Sequence, residues 1–428
     1  MRGFGQHDRP RLSRPMMSRT AWLWRLLSRR LWFRAAAYSL AAVVLALLAP
    51  MIAPFIPYEL SASIGGPAVD NILSIIASSM LAVTTFSLTA MVSAYSAATS
   101  NVTPRAVRLL SEDSASQNAL STFLGGFLFA IVGIVALSTG FYGEQGRVLL
   151  FGGTVAVILM IVITLLRWIS YLSQLGRVHD TIRRVECAAI AAVESIAHRP
   201  RPAARAMPDI PPGARPLRCD KIGYVTHIDA SALRECSEDC GGRIFLAVLP
   251  GMFVDPDRVL AWIDSDNDEA DGDVIDAISI DRERSFDNDP RFGLIVLSEI
   301  ASRALSPAVN DPGTAISVLG AQLRVLDKLA TLEGDTLYGD DDQVIVPAIA
   351  IEDLATDAFR AIARDGASTV EVAVRLQKTL TAWARLVPAF ANAARDQSVD
   401  ALRRAEEALS MEADRHAVRR AASALAGG

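Results

Sequence analysis

Four long stretches of this 428-residue chain contain no Asp, Glu, Lys, Arg or His: Ala35–Ile56, Ile72–Ala98, Leu120–Phe141 and Val148–Leu166. Lacking intramembrane carboxylates, they argue against a proton-coupled pump, and lacking histidine they argue against haem held between helices. The chain also has no Walker-type phosphate loop, no dinucleotide glycine fingerprint and no serine elbow. No nucleophile–base pairing is recognisable, so no catalytic residue is assigned and an enzyme is not the expected class. Cysteine is scarce, with Cys187, Cys219, Cys236 and Cys240 only. On the topology derived below these lie in a reducing compartment, where disulfides are not expected.

What is present points to lipid. Hydrophobic residues make up 51% of the chain and charged ones 21%, and each uncharged stretch approaches or exceeds the roughly 20 residues that a helix needs to cross a bilayer. The net charge of −5 hides an asymmetry: residues 1–34 hold nine arginines, no lysine and a single acid, Asp8. Trp22, Trp24 and Trp32 alternate there with Arg25, Arg29 and Arg30, a pattern suited to anionic headgroups and not to nucleic acid. Ser28–Phe33 also has the look of a twin-arginine export signal, but three further apolar stretches follow it, so the first stretch is read as a retained span. The connection after the second span carries Arg105 and Arg108, and the fourth is followed by Arg167, Arg177, Arg183 and Arg184, whereas 57–70 holds no Lys or Arg. The positive-inside rule then places both termini in the cytoplasm.

In the second span Ser74, Ser78, Thr85, Thr89, Ser93 and Ser96 recur at steps of 3, 4 or 7 and so share one helical face. Such a stripe serves close helix packing, the favoured reading, or lines a wet path. Beyond the fourth span, Leu175, Val178, Ile182, Val185, Ala189, Ala192 and Ile196 form a seam at steps of 3 and 4. It fits self-association through 175–196, or packing of a stalk on the chain's own soluble part. Six prolines between Arg199 and Pro216 then mark a linker.

The segments 223–229, 243–254 and 259–263 read as strands, and the "PGMFV" turn after a Gly-led strand looks like the small barrel of a lipoyl-carrier domain, though no lysine sits at the turn. From about 291 the pattern is helical over Phe292–Leu305, Thr314–Leu332, Asp353–Asp365 and Thr369–Ala394, with a short strand at 344–351. The acidic run 264–276 fails as a calcium loop, having Glu269 at the sixth position and Ile275 at the twelfth, and reads as a solvated loop. Cys219, His227, Cys236 and Cys240 make a poor zinc set, so neither metal nor cofactor is expected.

"RALSPAVNDPGTA" (303–315) is a helix–turn–helix corner: Ser306-Pro307 stops one helix, and Asn310-Asp311 offer oxygens to the first amides of a helix starting at Pro312. The alternative is a site for an anion at that helix N-terminus, with Arg284 and Arg303 flanking it in sequence. The stretch 281–319, "DRERSFDNDPRFGLIVLSEIASRALSPAVNDPGTAISVL", resembles a bacterial "predicted membrane protein" family, the domain-of-unknown-function family numbered twenty-two fifty-four. The resemblance singles out Arg284, Asp289, Phe292, Gly293, Ser306, Pro307, Asn310, Asp311, Pro312, Thr314 and Ala315, with Ser285 in place of a Thr. "NVTPRAVRLL" (101–110) is similar to the family's Ser-Pro-Arg turn, with Thr103 for the Ser. It implies a four-span membrane module with a soluble C-terminal half, and implies no activity.

The expected fold is therefore a membrane α-helical bundle of four transmembrane helices followed by a soluble α+β domain. Its parts are a basic segment (1–34), the membrane module (35–168), a helical stalk (169–198), the Pro-rich linker (199–216), a small β-rich unit (217–280) and a mainly helical unit (281–428). The expected location is the bacterial inner membrane. Two function classes remain: a membrane-anchored sensor or scaffold with a cytoplasmic ligand- or protein-binding domain, and a channel or transporter whose path is the hydroxyl stripe.

Overall fold

The computed structural model describes residues 40, 44, 66–111, 114–139, 144–173, 177–197, 210–334 and 343–426. Three helices within them are long and apolar enough to cross a membrane: α1 (Gly66–Asn101), α3 (Ser114–Ser138) and α4 (Glu144–Leu172). The span expected at Ala35–Ile56 and the Arg/Trp segment lie outside the described residues, apart from Leu40 and Val44 of that span. A short amphipathic helix, α2 (Pro104–Ser111), links α1 to α3. Thr103 starts it: its Oγ1 accepts from Ala106 N at 3.3 Å, and Pro104 supplies the fixed φ suited to a first helical turn. The chain divides into two units, one from Ala192–Asp289 and Leu332–Ala348, the other from the remaining described residues.

In the membrane module α3 is the most enclosed helix. Leu73, Phe123, Phe129, Leu150 and Trp168 fill the space between the three helices. Glycines permit the approach: a Cβ on Gly126 would lie 2.9 Å from Ile161 Cδ1, and one on Gly133 would lie 3.0 Å from Leu73 Cδ1. A polar tie crosses the core where Trp168 Nε1 donates to Ser87 Oγ at 2.9 Å, both side chains being buried. Ser87 is not part of the hydroxyl stripe. Ser74, Ser78, Thr85, Thr89, Ser93 and Ser96 all lie on the exposed face of α1 among the described residues. Ser78, Thr85 and Thr89 donate to the carbonyls of Ser74, Leu81 and Thr85 in their own helix, at 2.8–3.0 Å.

Helix α5 (Val178–Ala197) begins six residues after α4 ends at Leu172, with Ser173 and Arg177 outside both helices. Its seam residues Ile182, Val185, Ala189 and Ala192 are buried within the single chain. In the same unit as the membrane helices stand α8 (Pro290–Ala304), α9 (Pro312–Gly334), α10 (Ile351–Asp365), α11 (Val370–Leu386), α12 (Ala391–Ala408) and α13 (Glu412–Ala426). The sequence pattern over 369–394 is split at Val387–Pro388, where proline removes a donor and a 3₁₀ turn (Pro388–Phe390) separates α11 from α12. Trp383 anchors this cluster, fully buried with Phe359 and Phe390 at ring-centroid distances of 5.6 and 5.3 Å.

The other unit is built on two small sheets. Strands β1 (Arg215–Leu217), β5 (Ala261–Asp264), β3 (Arg243–Leu246) and β7 (Val344–Ile345) form one sheet in that order. Strands β4 (Phe253–Val254), β2 (Gly223–Ile228) and β6 (Ile278–Asp281) form the other. All contacts are antiparallel except β3–β7, and one core including Leu217, Val225, Ile244, Ile263, Ile278 and Val344 draws on both sheets. The 243–254 segment is thus not one strand: Pro250-Gly251 turns the chain from one sheet into the other. Two helices complete the unit, α6 (Ala230–Cys240) and α7 (Asp271–Asp276). The start of α6 is set by Asp229, whose carboxylate accepts from Ser231 and Ala232 N, and its end by Gly241 at φ +62°.

Candidate functional site

The residues singled out by sequence fall into two clusters, one in each unit. In the β unit the segment after β6 folds across the end of β2. Arg284 donates to Asp289 Oδ2 from Nε at 2.8 Å and from Nη2 at 2.6 Å, with only 3% of the Asp289 side chain exposed. Gly251 lies against this pair at φ +91°. A Cβ there would overlap the Asp289 carboxylate and come within 2.7 Å of Arg284 Nη2, so the turn admits only glycine. Its backbone is locked by Gly251 N to Val225 O at 2.7 Å and Val225 N to Met252 O at 2.9 Å.

Beside the pair, Asn288 is buried and bonds the Thr226 carbonyl at 3.3 Å and His227 Nδ1 at 3.1 Å. Thr226, His227, Asp229, Asn288 and Asp289 are all buried. Buried polar atoms need partners, and this loop supplies them to the end of β2. Ser285, standing where the family pattern has Thr, keeps the hydroxyl's role: it bonds Asp287 Oδ2 at 3.1 Å and accepts from Asp287 N at 3.2 Å.

The second cluster is the 303–315 corner, whose Ser306, Asn310, Asp311 and Thr314 come together as the spacing requires. Asp311 is the cap of α9: its carboxylate accepts from Thr314 N at 3.1 Å and from Thr314 Oγ1 at 2.7 Å. Those bonds hold its carboxyl below the usual carboxylate range. Asn310, at φ +50°, is the one non-glycine residue with positive φ among the described residues, a conformation asparagine tolerates. The Ser306 carbonyl accepts from Val309 and Asn310 N, and Asp311 N donates back to Ala304 O at 2.8 Å. Pro307, Ala308, Val309, Asn310 and Asp311 are exposed. The corner is a rigid projecting tip whose sequence is accounted for by its backbone, and an anion at this helix N-terminus would meet the Asp311 carboxylate.

Two contacts that the sequence reading did not find hold the motif helices, one to the membrane module through α2 and one to α5. Arg105 of α2 makes an ion pair with Glu299 of α8. Gly293 of α8 receives Ala189 of α5, and a Cβ on Gly293 would overlap the Ala189 methyl group. A bidentate pair between Arg324 of α9 and Glu186 of α5, at 2.5 and 2.7 Å, reinforces the second contact. Arg105 and Gly293 both lie in stretches that the sequence marks, whereas nothing local marks Glu299 as a partner.

Among the described residues no group of three or more His, Cys, Asp or Glu is arranged to hold a metal. Burial pushes the Cys236 thiol up to about 11, so it stays neutral. The acidic run is organised by Arg215, which donates to Asp271 at 2.7 and 3.0 Å and to the carbonyls of Ser265 and Asn267.

Three apolar helices, a short amphipathic helix and a soluble α+β part define a membrane protein with a large soluble region. The chain belongs to the family described as "Predicted membrane protein (DUF2254)", whose model matches residues 28–382. It is 25% identical over 247 residues to uncharacterized protein Mb1321c of Mycobacterium bovis and, to the same extent, to uncharacterized protein Rv1290c of Mycobacterium tuberculosis. These matches cover 55% of this chain and 47% of each relative, so the chain spans about half the length of the curated relatives it matches. No solved structure matches.

Proposed function

We propose that this protein is a membrane-anchored sensor or scaffold of the bacterial inner membrane, whose cytoplasmic part binds a ligand or protein and reports to the membrane module. The carrying observation is the Arg105–Glu299 pair, which ties the connection between two apolar helices to the helix that leads into the exposed 303–315 corner. An event at the corner thereby has a short mechanical route to the ends of α1 and α3 through α8. The same pair brings the arginine-bearing α1–α3 connection to the end of the bundle where the C-terminal helices stand, which supports a cytoplasmic assignment for both. The hydroxyl stripe gives the channel reading little support, since Ser78, Thr85 and Thr89 spend their protons on their own helix.

The test is solute and ion flux into liposomes containing the purified protein, paired with hydrogen exchange of the same preparation. The expected result is no flux above empty vesicles, with Glu299→Arg speeding exchange in residues 101–111 as well as in α8. A flux that disappears in a folded variant with Ser78, Thr85 and Thr89 all replaced by Leu would establish the channel instead.

A further inference from the structure

One face of α1 is built of small side chains. Ser74, Ser78, Ala82, Thr85, Thr89 and Ser93 follow one another at steps of 3 or 4, and all of them are exposed among the described residues. The hydroxyls of Ser78, Thr85 and Thr89 donate to carbonyls of α1 itself, so these three keep no proton for a partner and the face behaves as a shallow, nearly apolar groove. In a bilayer, where no water drives apolar surfaces together, small residues of this kind let a second helix approach closely. The exposed side of α4 is different: Val155, Leu159, Ile163 and Leu166 stand out from it and would hold a neighbour away.

The chain itself supplies a matching surface. Ala35, Ser39, Ala42, Ala46 and Ala49 of the first apolar stretch recur at steps of 4, 3, 4 and 3, a second small-residue stripe. Leu40 and Val44, the described residues of that stretch, are helical and exposed, and on a helix of about 3.6 residues per turn they lie opposite the stripe. Nine residues, 57–65, separate the stretch from the start of α1. Elements joined by so short a connection are ordinarily antiparallel neighbours.

We propose that the small-residue face of α1 is the docking surface for the first apolar stretch of the same chain, Ala35–Ile56, laid against it antiparallel. One register sets Ala46, Ala42, Ser39 and Ala35 opposite Ser78, Ala82, Thr85 and Thr89. Ten residues from Ala46 to the end of the stretch balance twelve from Gly66 to Ser78, so this register closes a hairpin without slack. The stripe is then a packing surface within one chain, neither a water path nor a contact between copies. This pairing holds whether or not the soluble part is a sensor.

Residues 1–65 contain no cysteine, so the pairing can be read by disulfide cross-linking in the full chain. With a protease site placed in 57–65, the variants A42C/A82C and A35C/T89C are oxidised in isolated membranes, cut, and run without reductant. Both are expected to hold the two fragments together, since a disulfide requires Cα atoms about 4.4–6.8 Å apart. V44C/A82C, which starts from the far side of the stretch, and A42C/L159C, which reaches for α4, should release the fragment. Adding Ala82→Leu to A35C/T89C should lower its cross-linked yield severalfold, because bulk at the centre of the contact pushes the helices apart. Each variant must elute as the parent does in detergent, so that release cannot come from misfolding. Release from both A42C/A82C and A35C/T89C, cross-linking of A42C/L159C in their place, or a yield that Ala82→Leu leaves unchanged would each overturn the proposal. A two-chain species formed by A82C alone would overturn it as well, and would show that a second copy occupies the face.

Discussion

Arg105, one residue into the helix that follows the first described span, is ion-paired with Glu299, 194 residues later in the chain. The pair is partly solvated, with 58% of the Arg105 side chain and 28% of the Glu299 side chain exposed. Exposed pairs of this kind contribute only ~0.2–1 kcal/mol after solvent screening. Its importance is therefore positional: it fixes the register of α2 on α8. Charge reversal at either residue alone should lower the unfolding midpoint slightly, and the double reversal R105E/E299R should recover most of the loss. A double-mutant cycle by thermal unfolding in detergent checks this, and additive effects would show that the pair is not formed.

The contact of α8 with α5 is steric. Gly293 has no room for a side chain against Ala189, so G293A should cost ~1–3 kcal/mol through overpacking. Removing the opposing methyl group in A189G/G293A should restore part of that loss, although glycine within α5 itself costs up to about 1 kcal/mol. Chemical unfolding of the parent, both singles and the double gives the coupling energy directly. A double variant no more stable than G293A would mean that the contact is not where the cost arises.

In the β unit the buried Arg284–Asp289 pair and Gly251 behave as one device. Asp289→Ala takes the carboxylate from a guanidinium of which only 18% is exposed, and breaking one side of a buried pair costs ~3–5 kcal/mol. Gly251→Ala imposes a left-handed conformation, itself worth ~1–2 kcal/mol, and drives its Cβ into the same carboxylate. The two losses should be far from additive in G251A/D289A, because removing the carboxylate clears the space the new methyl group needs. Circular dichroism melts of the four proteins decide it, and strict additivity would separate the turn from the pair.

How much of this was legible in the sequence depended on whether the cause was local. The three apolar helices followed from runs without a charged residue, and the corner followed from Asn310, Asp311, Pro312 and Thr314, whose roles are all carried out within a few residues. The helix α6 was not legible, because "ASALRECSEDC" buries only Leu233, Cys236, Ser237 and Cys240 and owes its limits to the Asp229 and Gly241 caps. The break at Pro388 was present in the pattern but was overridden by the apolar spacing on either side of it. Glu299 and Gly251 could not have been assigned from spacing, since each is defined by a partner brought in from a distant segment.

The Asp311 cap makes a prediction with a sign. Its carboxyl is held below the ordinary value by the hydroxyl and then the backbone amide of Thr314, against an opposing effect of burial, with the amide of Gly313 adding the least. A group whose folded value lies below its unfolded one stabilises the protein fully above the unfolded value, near 3.8, and loses that contribution as the pH falls through the folded value. Protonation would leave Thr314 N with a weaker acceptor and remove the negative charge from the positive end of α9. Asp311→Ala should cost ~1 kcal/mol at neutral pH, as the loss of a helix cap does, and Asp311→Asn less because an amide oxygen still accepts. Stability of D311A relative to the parent, measured by chemical unfolding between pH 7 and the lowest pH at which both stay folded, should show a difference that narrows below about pH 4. A gap that stays constant on acidification would mean that the carboxylate's charge contributes nothing to the corner.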